Sequence, residues 1–207
     1  MFPRTAPLVL LVSLLAACSS TSSQVPSTPQ PVDAASHSPW LQPTPELRRK
    51  IEERMARMEY LNNLEQQVEM IQWFVAQNEL AYPALIELAG GPDDRSAGLA
   101  LAALGSSRDG RLVEHLQGLP MPGPERPNVR LERARCHMNL GDWSHADILL
   151  EGLRSDDLRT RGQSAAALRR ATQQNFGFRP QAEPEEREAA VEAWEAWLAA
   201  YRADPLR

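Results

Sequence analysis

From Leu47 to Val75 the apolar residues Leu47, Ile51, Met55, Met58, Leu61, Leu64, Val68, Ile71 and Val75 follow one another at steps of three or four. An α-helix turns once in about 3.6 residues, so these steps line the side chains along one stripe, and the charged residues fall on the other faces. The spacing predicts a long amphipathic helix, weakened midway by the Asn62-Asn63 pair, which is able to split it in two. Such a stripe suits either a coiled-coil partner or the following helices of its own chain. Trp73, Phe74 and Leu80 widen the apolar face beyond a narrow seam, which favours packing within the chain. Alternating runs of β-branched and aromatic residues are missing after Glu46, so the expected fold class is all-α.

Beyond the stripe, Gly, Pro and Asp punctuate short helical segments at roughly 82–89, 93–104, 111–119, 126–140, 144–153, 158–174 and 184–201. Two echoes suggest a repeat. Ala103-Leu104-Gly105 returns as Asn139-Leu140-Gly141, 36 residues on, and Leu116-Gln117-Gly118-Leu119 returns as Leu150-Glu151-Gly152-Leu153, 34 residues on. A period in the thirties with paired helices is the mark of an α-solenoid, in which each hairpin covers the apolar face of the next.

The runs Arg95-Ser96-Ala97-Gly98-Leu99-Ala100-Leu101-Ala102-Ala103-Leu104 and Arg161-Gly162-Gln163-Ser164-Ala165-Ala166-Ala167-Leu168 resemble the first helix of bacterial HEAT-type repeats. Phe176-Gly177-Phe178-Arg179-Pro180 with Glu186-Arg187, Ala190-Val191, Trp194 and Trp197 is similar to the closing unit of such domains. The stretch from Cys136 to Leu149, with Leu140-Gly141-Asp142-Trp143 and Ala146, is as similar to a tetratricopeptide hairpin. The resemblance covers about 85–200. It implies an α-solenoid of stacked helical hairpins, preceded by the long amphipathic helix and mixed in repeat type.

The N-terminus addresses a different question. Arg4, the apolar stretch Leu8 to Leu15 and Ala16-Ala17 have the order of an export signal and are too short to span a membrane as a helix. Leu15-Ala16-Ala17-Cys18 resembles the lipobox of bacterial lipoproteins, which implies cleavage before Cys18 and acylation of that residue. Two or more acyl chains anchor firmly where one binds reversibly. Ser19 in place of aspartate implies, within that family, an outer-membrane anchor facing the periplasm. If the lipobox is false, a Cys18–Cys136 disulfide is the rival. From Ser19 to about Pro45 the chain is Ser-, Thr-, Pro- and Gln-rich, the composition of a tether, with a mean reach of about 30 Å. Trp40 within it has the first helix as its nearest docking surface. The expected layout is a signal at 1–17, a lipidated cysteine and tether at 18–45, and a helical repeat domain at 46–207.

Removing the first 17 residues takes away Arg4 and changes the formal net charge from −5 to −6, and no concentrated basic patch suits nucleic acid. Cys136 sits at helical spacing with Leu131, Ala134 and Leu140, so burial as a small apolar residue is expected. The one metal-like cluster is Cys136-His137 with Asp142 and His145, but His137 and His145 are too far apart for a zinc hairpin, and neighbouring Cys136 and His137 diverge by about 100° on a helix, so no metal is expected there. No nucleophile elbow, phosphate loop or metalloprotease helix is present, and no catalytic residue or cofactor is assigned. Glu183, Glu185, Glu186 and Glu188 suit the start of a helix behind Pro184. Trp194 and Trp197 are expected to cover the open end of the stack.

Arg126, Arg130 and Arg133 share a helix face by spacing and are the candidate partner-binding residues, a basic stripe that Arg159, Arg161, Arg169 and Arg170 of later units extend if the units stack in register; solvated arginines paired with Glu125, Glu132, Asp156 and Asp157 are the alternative. The sequence thus predicts an outer-membrane lipoprotein whose periplasmic domain binds an envelope protein or peptide as scaffold or adaptor. A pilotin-like carrier of a client to the outer membrane and a cell-wall-modifying enzyme are the alternatives.

Overall fold

A computed structural model describes residues 38–204, and among them every regular element is helical. The order is α1 (Pro45–Met58), α2 (Leu64–Gln77), a 3₁₀ turn (Asn78–Leu80), α3 (Tyr82–Ala89), α4 (Asp94–Ser107), α5 (Leu112–Gln117), α6 (Pro127–Asn139), α7 (Ala146–Leu153), α8 (Leu158–Thr172) and α9 (Pro184–Ala203). The all-α expectation holds.

The single long helix does not. It ends at Met58, and Asn63 starts a new one by accepting the Glu65 N–H on Oδ1 at 2.8 Å. An asparagine side chain satisfies an orphan amide at a helix start better than it sits inside a helix, so the weak point becomes a break. The apolar stripe is divided with it. Ile51, Met58 and Leu61 are buried in the chain's own core, while Leu64 and Val68 are 70% and 43% exposed.

α4 is the hub of the N-terminal half. Asp93 caps it through the Ser96 N–H at 2.7 Å, and it packs against α1, α2, α3 and α6. Its buried residues include Ser96, Ala97, Ala100, Ala103 and Gly105, small side chains that let neighbouring backbones come close. Gly105 marks the tightest approach: a Cβ there would stand 3.0 Å from the Cα of Cys136 on α6. The echo of Gly105 in Gly141 is therefore one of letters only. Gly105 is an interior helix residue, whereas Gly141 has φ +88° and ends α6.

α6 belongs to two cores. Val129, Cys136 and Leu140 join a cluster with α1 to α5, whereas Leu131, Ala134 and Met138 join one with α7, α8 and α9. Cys136 is 1% exposed, buried as its spacing predicted. In the second cluster Trp194 is 1% exposed and meets Phe176 edge-on. Trp197 packs on the edge of this core, half-buried against Trp143 and Tyr201, while Trp194 enters it. α9 starts at Pro184, with Glu185 and Glu186 in its first turn as the dipole favours.

Trp40 corrects the start of the domain. It docks on α3 and α5, 5.0 Å edge-on from Tyr82 and 5.0 Å from His115, with the Arg111 guanidinium 5.1 Å over its ring. At 5% exposure it belongs to the first core, so the folded chain begins before Glu46.

Candidate functional site

Arg133 and His137 stand one turn apart on α6, on the face between its two apolar sides. Both are buried, at 2% and 0% exposure. The end of α6 supplies their partner. Gly141 N–H bonds Met138 C=O at 3.1 Å and Asp142 N–H bonds His137 C=O at 2.9 Å, the paired closure that a left-handed glycine permits. This reversal carries Asp142 back to His137, with Oδ2 2.8 Å from Nδ1. Oδ1 of Asp142 accepts the Ser144 N–H at 2.9 Å, and Gln117 at the end of α5 donates to Oδ2 at 3.2 Å.

On the other side of the ring, Arg133 Nε donates to His137 Nε2 at 2.9 Å. Guanidinium has no lone pair to offer, so Nε2 must be the acceptor and the proton of the neutral ring sits on Nδ1, facing Asp142. Arg133 Nη2 donates to the carbonyls of Leu116 and, at 3.3 Å, Leu119, at the C-terminal end of α5. A neutral imidazole therefore links a buried cation to a carboxylate, and the chain of bonds ties α5, α6 and the α6–α7 turn together. His145 packs edge-on against His137 at 4.6 Å.

The electrostatics follow from burial. It lowers the His137 pKa below the ordinary 6.5, aided by the charges of Arg133 and His145 and opposed by Asp142. Burial also lowers His145. Burial alone would raise Asp142, but hydrogen bonds from Ser144, His137 and Gln117 outweigh it and hold the carboxyl at about 2.

This network is unsuited to acid–base chemistry, because a general base must present its lone pair to a substrate and that of His137 is given to Arg133. Cys136, on the neighbouring face, has its thiol pushed up by burial to about 12, so the nucleophilic thiolate is suppressed. Ser164 Oγ is buried, without a hydrogen-bond partner, at the α7–α8 contact, where a Cβ on Gly152 would collide with it. Among the described residues no group of three or more His, Cys, Asp or Glu side chains is placed to hold a metal ion.

Of the arginine face only Arg133 is out of reach. Arg126, Arg130, Arg133 and His137 share a side of α6, with Arg133 and His137 buried and Arg126 and Arg130 partly exposed but paired. Arg126 bonds Asp94 at 2.5 Å and the Gly91 carbonyl at 3.0 Å, joining α6 to the start of α4. Arg130 pairs with Glu151 of α7 at 2.8 Å, and Arg133 lies inside the network. The expected carboxylate partners also differ, because Glu132 pairs with Arg135. Other arginines staple helices in the same way: Arg154 bridges to Glu188 and Glu195 of α9, and Arg202 to Asp147 of α7 at 2.8 Å. Arg154, Glu195, Arg202 and Asp147 line a depression of about 290 Å³ between α7 and α9. Cys18, the residue expected to carry the lipid, lies outside the described residues.

Of the His137 cluster, the sequence marked His137, Asp142 and His145 but not Gln117, which the fold brings in from α5. The half-buried trio Trp143, Trp197 and Tyr201 was also missed, although the four-residue step from Trp197 to Tyr201 on α9 was visible. Comparisons with protein-family models, with curated proteins and with solved structures returned no match.

Proposed function

We propose that the chain is a lipid-anchored outer-membrane protein whose helical domain, facing the periplasm, is an α-solenoid that holds an envelope protein as scaffold or adaptor. The observation that carries this reading is the contact order. α2, α4, α6 and α8 touch in series, which supports one layer of a hairpin array, while among the stronger packing pairs the other layer is joined at α1–α3 and α7–α9 and interrupted at α5. Such arrays offer extended surfaces rather than deep catalytic clefts. The HEAT-like runs at Arg95–Leu104 and Arg161–Leu168 fall on α4 and α8, in the same layer, which supports the repeat.

The non-enzymatic part rests on the spent chemistry of the interior. His137, Arg133 and Asp142 satisfy one another, and Cys136 is a buried thiol. Anchoring rests on the signal and lipobox pattern ending at Cys18. Labelled palmitate should enter the protein and disappear in Cys18→Ser, and crosslinking in intact cells should join the protein to one reproducible envelope partner. An unlabelled protein overturns the anchor. Turnover of peptidoglycan fragments by the purified protein overturns the adaptor.

A further inference from the structure

α2 has an apolar side that the domain leaves partly open. Leu64 and Val68 stand exposed on it, with Val75 and the core-packed Ile71 partly buried further along, about a third of a turn from the side where Met70 and Phe74 enter the core. Of the five large apolar side chains that stand exposed among the described residues, three lie between Tyr60 and Val68. α2 also ends its layer, since its helical neighbours are α1 and α4 alone among the stronger packing pairs. At the opposite end α9 buries Val191, Trp194 and Leu198, and its surface aromatics Trp197 and Tyr201 pack against Trp143 and one another.

The rim of the strip is acidic. Glu65 and Glu69 each follow an exposed apolar residue by one position, about 100° round the helix, and α2 contains no Lys or Arg. Neither carboxylate is in an ion pair among the described residues. A second copy of the chain laid on this face would bring like charges together, which disfavours self-association. A helix with an apolar stripe and basic flanks would fill the strip and satisfy the rim at once.

Resting on the adaptor reading above, we infer that the Leu64–Val68–Val75 face of α2 is the docking surface, and that its occupant is an amphipathic helix of the envelope partner with Lys or Arg beside its apolar stripe. The partner helix lies along α2, its apolar residues between Leu64 and Val75 and its cations against Glu65 and Glu69.

The test places a benzophenone amino acid at Leu64, at Val68 and, for comparison, at Leu158 on α8, in the full-length chain in its host cells. Positions 64 and 68 should give the same adduct and 158 should not. The crosslinked segment should carry apolar residues at helical spacing with Lys or Arg beside them. Glu65→Lys with Glu69→Lys should cut that adduct by about tenfold with an unchanged melting temperature. An adduct with a second copy, a crosslinked segment without basic residues, or an adduct indifferent to charge reversal would overturn the inference. If 64 and 68 are silent while 158 or lysine-directed crosslinking captures a partner, the α2 site falls and the adaptor reading stands. If no route captures a partner, both fall.

Discussion

Arg133 holds the acceptor nitrogen of His137 at 2.9 Å, so the imidazole cannot take up a proton without losing that bond and placing two cations side by side inside the protein. The unfolded chain has no such obstacle. As pH falls through the ordinary histidine value of 6.5, unfolded His137 gains a proton that folded His137 refuses, and stability drops; above that value the contribution is complete. His145 acts in the same sense. Melting temperatures should therefore decline from about pH 7 to pH 5, with a smaller decline in His137→Gln. A second loss follows in stronger acid, because Asp142, held at about 2 against an ordinary 3.8, must be protonated as the fold gives way.

Arg133 and Arg130 should separate sharply under mutation although they stand one turn apart on the same face. Arg133→Met strands the Leu116 and Leu119 carbonyls and leaves Asp142 without its distant cation, a loss of about 3–5 kcal/mol in denaturant unfolding. Arg130→Ala removes a half-exposed pair with Glu151 and should cost less than about 1 kcal/mol. Equal effects would refute the burial difference on which the corrected arginine face stands.

Two glycines of α4 make a matched experiment. Gly98 has open space where a Cβ would go, so Gly98→Ala should stabilise by about 0.5–1 kcal/mol through helix propensity. Gly105→Ala should destabilise by about 1–3 kcal/mol, since its Cβ would press on the backbone of α6. Thermal or urea unfolding reads both signs.

Trp40→Ala should cost about 3–5 kcal/mol, the loss typical of a large buried aromatic, if residues before α1 are part of the fold. A change below about 1 kcal/mol would restore the expected boundary at Glu46.

Helix α3 is legible to the residue, because Tyr82-Pro83 starts it and Gly90 stops it, and both signals act within one turn. Local punctuation likewise places α4 to α9 within a few residues. Asn63 was visible as a weakness, yet only its side-chain bond to Glu65 decides that the helix breaks. Arg133 was illegible for another reason. Spacing puts it on a face with Arg126 and Arg130, but whether that face meets water depends on where α5 ends in space. Trp40 is the same case, since its supports Tyr82 and His115 are distant in the chain and its surroundings read as tether.

α6 is the one helix shared by both cores, and this makes the domain indivisible at its middle. A cut after α5 would leave Leu131, Ala134 and Met138 covered but bare Val129, Cys136 and Leu140 to water, and it would take the α5 carbonyls from the buried cation and Gln117 from Asp142. A cut after α6 does the reverse damage. A chain with two separate apolar clusters thus has no half that can be exchanged, duplicated or lost by itself, and insertions should be tolerated at its two ends long before they are tolerated between α5 and α7.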